Sequence, residues 1–213
     1  MNIRWYGHAC FGVSLDKITI VTDPHDGKSI GIKPPQVKAD IVLVSHSHFD
    51  HDSVKTVRKL TTKVIQEAPG RGIDRSNIRF RTIPAFHDNS GGAKRGEINI
   101  FHFNVNDVKF CHLGDLGHII TDEQTKKIGD VDILFIPVGG VFTIDADDAW
   151  KVIEKINPKV VIPMHYRIGG LSLSIQPLEP FLNGRERVEK VGNEIEFDPE
   201  DLPDELEIWV FSL

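Results

Sequence analysis

The chain has 213 residues, 40% of them hydrophobic, and a formal charge of −6. That is enough apolar material for one sizeable core, so a single domain over 1–213 is expected. The acidic balance and the lack of a Lys/Arg block argue against nucleic-acid binding. Neither a leader-like pattern in Met1 to Tyr6 nor an apolar run of membrane length is found, and a cytoplasmic protein without membrane insertion is expected.

In chain order, Phe11, Val13 and Leu15 alternate, Asp16-Lys17 turns the chain, and Ile18 to Val21 leads into Thr22-Asp23-Pro24, a hairpin ending in a carboxylate. A loop rich in Gly, Lys and Pro (Gly27 to Pro35) precedes an apolar strand, Ile41 to Val44. The polar run Ser45-His46-Ser47-His48-Phe49-Asp50-His51-Asp52 then opens a predicted helix through Val54, Val57 and Leu60. Lys63 to Gln66 and Ile78 to Ile83 read as strands, and Gly91-Gly92 as a flexible loop after His87. Ile98 to Val105, the turn Asn106-Asp107, and Val108 with Phe110 predict a second hairpin, which delivers His112-Leu113-Gly114-Asp115-Leu116-Gly117-His118. Cys10 and Cys111 lie in strand-like segments and read as small buried residues.

Beyond that point strands alternate with helices. Val131 to Ile136 ends at Pro137-Val138-Gly139-Gly140. Asp145 can cap a helix with Ala146, Ala149, Ile153 and Ile156 on one face, and Asn157-Pro158 stops it. Val160 to Ile162 runs into Pro163-Met164-His165-Tyr166, and Ile195, Phe197, Ile208, Val210 and Phe211 suggest short closing strands. A β-rich half followed by a mixed half predicts two sheets packed face to face with helices outside.

Three imidazoles and a flanked carboxylate at one strand end point to metal. Side chains two apart in an extended segment share a side, so His46 and His48 can close on one ion, while Asp50 and His51 can face a second. Imidazole and carboxylate without thiolate suit zinc, iron or manganese. Single metal-competent residues stand at three further strand ends: His87, Asp115 and His165. Alone, a His in such a place is more often a hydrogen-bonded structural residue and an Asp in such a turn often only a cap; together with the run they make seven candidate ligands.

The pattern His46-x-His48-x-Asp50-His51, followed in order by His87, Asp115 and His165, resembles the signature of the metallo-β-lactamase superfamily across nearly the whole chain. The resemblance implies an α/β fold, a four-layer αββα sandwich of two mixed β-sheets with helices on the outer faces. It implies two divalent metal ions, zinc in the first place with manganese or iron as alternatives. His46, His48 and His87 would hold one, Asp50, His51 and His165 the other, and Asp115 would bridge them. Asp23 matches the superfamily's early Asp and is read as orienting a ligand, against a simple role in the turn. Trp5-Tyr6-Gly7-His8-Ala9 is similar to the branch of small hydrolases related to ascorbate-6-phosphate lactonase and N-acyl-phosphatidylethanolamine phospholipase D.

The implied activity is hydrolysis of an ester-type bond in a small-molecule substrate (a phosphodiester, phosphorylated lactone or related ester) by a hydroxide shared between the metals. Asp50 and His118 are the candidate catalytic residues. His118, three residues beyond Asp115, is expected to protonate the leaving group. The alternative is a non-hydrolytic metal-binding protein or a di-iron redox protein on the same fold. Of the other histidines, His25 is expected at the surface, His102 on the polar face of a strand, His112 in the core or behind a ligand, and His8 either in its turn or at the cavity. Thr143, Asp145 and Tyr166 read either as substrate contacts or as capping and packing residues.

Overall fold

A computed structural model of the chain describes residues 1–66 and 78–213. The chain opens with an antiparallel meander, β1 (Asn2–Trp5), β2 (Phe11–Leu15) and β3 (Ile18–Thr22), and β4 (Ala39–Leu43) is then laid parallel to β3. One helical turn, α1 (Val54–Val57), leads to β5 (Arg58–Ile65), parallel to β4. The second sheet follows the same plan. Its meander is β6 (Arg79–Phe86), β7 (Glu97–Val105) and β8 (Val108–His112). After α2 (Asp122–Ile128), β9 (Ile133–Pro137) joins β8 in parallel, and after α3 (Ala146–Ile156), β10 (Val160–Met164) joins β9.

The tail passes through α4 (Glu179–Leu182) and divides its strands between the sheets. β11 (Val188–Lys190) and β13 (Glu207–Val210) extend the second, while β12 (Glu194–Glu196) pairs with β1 in the first. The strand orders are β12-β1-β2-β3-β4-β5 and β11-β13-β10-β9-β8-β7-β6, an α/β sandwich of two mixed sheets as expected.

Local sequence explains the elements. The hairpin turn between β7 and β8 places Asn106 and Asp107 both at positive φ (49° and 64°), the handedness that two-residue hairpins favour and that Asn and Asp tolerate. Every residue of β9 and β10 is buried, as befits parallel strands covered on both faces. In β4 the alternation sorts the faces: Ile41 and Leu43 enter the main core, whereas Val42 joins Val21, Val44 and Val57 in a smaller cluster. The main core is continuous between the sheets, and Phe11 of the first meets Phe135 of the second at 4.7 Å between ring centroids.

α3 is capped as predicted: the Asp145 side chain accepts from Asp148 N–H, and Asn157 ends the helix in the left-handed conformation. α2 was not foreseen, although Thr121-x-x-Gln124 forms a reciprocal capping box at its start. The helix expected through Leu60 stops at Val57. The β-branched stretch around Thr61 and Thr62 instead extends β5, which leaves Leu60 fully exposed. Helical cover is uneven among the described residues: α2 packs on β6 and α3, and α3 on α4, while the one-turn α1 packs on β5. None of the described helices is long and apolar enough to cross a membrane. Cys10 and Cys111 are buried and free, as expected.

Candidate metal centre

The run after β4 leaves the strand and closes on itself, with His51 and Asp52 both donating their backbone N–H to the His48 carbonyl. This turn gathers the imidazoles. His46 Nε2 lies 3.0 Å from His48 Nδ1, and their ring centroids are 4.4 Å apart. His87 follows β6 directly and brings its ring to 4.9 Å from His46 and 5.0 Å from His48. Asp115 stands three residues beyond β8, and His165 immediately beyond β10 at φ 53°. Strand ends from both sheets therefore meet at one place. Gly114 (φ 54°) permits the meeting, because a Cβ there would fall 2.7 Å from that of Ser45.

Asp115 Oδ2 is the common point. It lies 3.2 Å from Nε2 of His51, 3.2 Å from that of His165, 3.3 Å from that of His87 and 3.8 Å from that of His46. Two donors held at metal-bonding distance on a tetrahedral ion stand about 3.3–3.6 Å apart, so these spacings suit atoms that converge on shared cations. Among the described residues three groups could each hold an ion by proximity: His46, His48 and His87; His8, Asp50, His51 and His165; and His46, His51 and Asp115. All seven sequence-derived ligand candidates fall within them, and His8 is an addition.

The electrostatics fit a cation. Asp23, Asp50 and Asp115 are all buried here. Burial alone would raise the pKa of Asp115, but His165 and His51 outweigh it and hold the carboxyl well below its ordinary range. Asp50 is likewise held low by His51 and His8 against its burial. His51 is lifted well above the usual imidazole value because Asp115, Asp23 and Asp50 outweigh its desolvation. Its proton answers the carboxylates much as a metal cation would. His46 goes the other way, to about 3, through burial and the neighbouring His51. Asp115 Oδ1 and His51 Nε2 are buried without a hydrogen-bond partner among the described residues, and such orphaned atoms inside a polar cluster fit a metal-binding role.

Behind these candidate ligands, Asp23 accepts from Ser45 N–H (2.7 Å), from the Ser45 hydroxyl (2.7 Å) and from His51 Nδ1 (3.2 Å). With its proton on Asp23, the Ser45 oxygen accepts from His46 Nδ1 at 2.8 Å. One carboxylate thus turns Nε2 of both His46 and His51 toward Asp115. The sequence pointed to Asp23 as an orienting group but not to the Ser45 link.

His118 is not brought into the cluster. Its Nδ1 donates to the Ile119 carbonyl at 2.9 Å, and its Nε2 accepts from Phe86 N–H at 3.2 Å. The expected proton donor therefore has no free ring proton; it braces the strand end that carries His87. His25 is buried rather than at the surface, bonded to the Tyr6 carbonyl. His102, also buried, reaches the Asp130 carbonyl. His112 links the Ala9 carbonyl to Gly114 N–H, the supporting role expected of it. Asp145 is occupied as a helix cap, Thr143 bonds the Ile144 carbonyl, and the Tyr166 hydroxyl donates to the Phe211 carbonyl.

Beside His46 and His48 opens a cavity of about 370 Å³, lined also by Gln66, Arg95, Glu97 and Asn99. Arg95 reaches it from a loop organised by Asp88, whose carboxylate accepts backbone N–H groups of Ser90, Gly92, Lys94 and Arg95. The Arg95 guanidinium lies over the Phe142 ring, 4.9 Å from its centroid.

Comparison with known proteins agrees with this architecture. Residues 2–165 match the family model of the β-lactamase superfamily domain. A UPF0173 metal-dependent hydrolase of Thermoplasma acidophilum is 31% identical over 188 residues, covering 78% of this chain and 83% of its own. Another from Carboxydothermus hydrogenoformans is 32% identical over 78% of this chain and 84% of its own. A solved structure from Thermotoga maritima, a candidate zinc-dependent hydrolase of the metallo-β-lactamase superfamily, superposes with a TM-score of 0.81 at 35% identity, covering 99% of this chain and 97% of the other.

Proposed function

Because the chain belongs to the metallo-β-lactamase superfamily, and within it to the UPF0173 metal-dependent hydrolases, we propose that it hydrolyses an ester-type bond of a small molecule with two divalent metal ions, zinc first among them. The substrate classes proposed are a phosphodiester, a phosphorylated lactone or a related ester. The observation that carries the reading is Asp115 Oδ2, within 3.8 Å of four imidazole nitrogens delivered by three separate strand ends. His46, His48 and His87 would hold one ion, Asp50, His51 and His165 the other, and Asp115 both. Bound there, such ions would supply a water of pKa about 7 as nucleophile and a Lewis acid for the oxygen of the bond to be broken.

The chain's own residues supply the rest. Asp23 and Ser45 keep the proposed ligating nitrogens turned inward, and Asp115 is buried among His51, His87 and His165, which strengthens the charge interactions there. The cavity beside His46 has the volume of a small-molecule site. Arg95, the one cationic residue among its described lining, suits an anionic substrate group such as a phosphate oxygen.

The test is metal analysis of the chelated and reloaded protein, with an activity panel of phosphodiesters, lactones, thioesters and β-lactams under Zn²⁺, Mn²⁺ and Fe²⁺. About two ions per chain and metal-dependent turnover of a phosphodiester or lactone are expected. A protein that loads with metal yet turns over none of the panel would displace hydrolysis in favour of the non-hydrolytic metal-binding alternative, and iron absorbance with redox activity would favour the di-iron one.

A further inference from the structure

His8, in the turn between β1 and β2, is a buried imidazole that touches the centre without belonging to the seven proposed ligands. Its backbone sits at φ 55° behind Gly7 at φ 97°, left-handed geometry that a residue other than glycine keeps only when its surroundings hold it. Here they do. The His8 carbonyl accepts from Trp5 Nε1 at 3.1 Å and from His165 N–H at 3.3 Å. Its ring lies 4.2 Å from that of His165 and 5.0 Å from that of His51, and its Nε2 is 3.1 Å from Asp50 Oδ2.

Such a residue could be one more metal donor or a group that holds a donor in place, and the contact geometry separates the two. His51 Nε2 lies 3.2 Å from Asp115 Oδ2 without a hydrogen bond, the side-by-side placement of atoms converging on a third body. His8 Nε2 and Asp50 Oδ2 do have hydrogen-bond geometry, with the nitrogen aimed at the oxygen itself. Asp50 can only accept while ionised, so the His8 proton is on Nε2. The remaining Nδ1, buried without a partner among the described residues, is then a bare lone pair. The opposite tautomer would bury an unpaired N–H and set two lone pairs against each other.

We propose that His8 is a positioning residue of the second metal site: Nε2–H fixes the Asp50 carboxylate, while the ring and carbonyl brace His165. The proposal rests on the two-ion reading above and gives it an asymmetry. Among the described residues the hydrogen bonds of His8 reach Trp5, Asp50 and His165, and none reaches His46, His48 or His87. Losing His8 should therefore weaken one ion and spare the other.

Two variants test it. His8→Asn tolerates left-handed backbone, but its amide is too short to reach Asp50; His8→Gln carries an N–H close to the position of Nε2. Stepwise chelator competition and the absorption spectrum of the Co²⁺-loaded protein read each site without relying on activity. In His8→Asn one ion should bind about 10–100-fold more weakly with a changed Co²⁺ spectrum, the other as in the wild type, and His8→Gln should recover most of the loss. Two ions in the wild type with unchanged stepwise affinities in His8→Asn would overturn the role of His8 alone, as would equal weakening of both ions that Gln does not restore. A wild-type protein that takes up a single ion overturns the two-ion reading itself.

Discussion

The two sheets share a plan and deliver their chemistry differently. Each is an antiparallel meander followed by parallel strands, and in each a carboxylate follows the last meander strand: Asp23 after β3, Asp115 after β8. In the first sheet the next strand, β4, releases its ligand candidates as one contiguous run, and Asp23 stands behind them as an anchor. In the second, one residue leaves each of β6, β8 and β10, and Asp115 itself is the meeting point. One sheet supplies a preassembled cluster, the other supplies three separate pins that lock it. A site built this way exists only while the sheets are packed together.

The largest effect should come from separating them. Residues 1–66 carry the first five strands, and 78–213 carry the second sheet, yet β12 from the tail pairs with β1 and the core runs through both. We propose that the chain folds as one unit, so neither piece expressed alone should unfold cooperatively or hold metal tightly. A sharp melting transition with tight metal binding in either piece would split the molecule into two domains.

Asp115→Ala comes next. Because Oδ2 lies against imidazoles of both proposed sites, its loss should strip both ions and cut activity by more than the ~10–100-fold expected of supporting residues. His87→Ala should impair the first site alone. Elemental analysis of the two variants decides: equal metal contents would mean that Asp115 is not shared.

The same contrast explains how much could be read in advance. Four ligand candidates within six positions after an apolar strand announce themselves, because the local period already sets His46 and His48 side by side. His87, Asp115 and His165 carry no such local signal. Each resembles any polar residue at a strand end, and only their order along the chain connected them with the first run. The two sheets and the Asp145-capped helix were legible from alternation and caps. The Asp23–Ser45–His46 link, the burial of His25 and the hold of His8 on Asp50 were not, since they join positions 19 to 42 residues apart or set a local bond only after the fold has formed. His118 shows the converse: closeness to Asp115 in sequence says nothing about the Phe86 N–H that its ring accepts.

His118→Ala should therefore have a modest effect. It leaves Phe86 N–H without its acceptor, a cost of about 1 kcal/mol for a half-buried bond, and turnover should fall less than ~10²-fold whatever the leaving group. Comparing kcat on a nitrophenyl ester and on an alkyl ester gives the check. A loss of roughly 10²- to 10⁴-fold on the alkyl ester that vanishes with nitrophenolate would return the proton-donor role to His118.

The smallest effect concerns an imidazole of the second sheet outside the proposed ligand groups. His102 on β7 is kept neutral: burial first, then the Arg81 and Lys109 cations, lower its pKa below the usual 6.5, although the Asp130 carbonyl pulls the other way. The unfolded chain then binds the proton that the folded chain refuses, so this residue's contribution is fully favourable above about pH 6.5 and declines as pH falls below it. In His102→Gln that part of the acid sensitivity should disappear. Denaturant midpoints of the metal-loaded wild type and variant at pH 7.5 and 5.5 supply the test, with the wild type expected to lose more between the two. If the variant loses as much, the acid sensitivity belongs to other groups and the burial of His102 has no pH signature of its own.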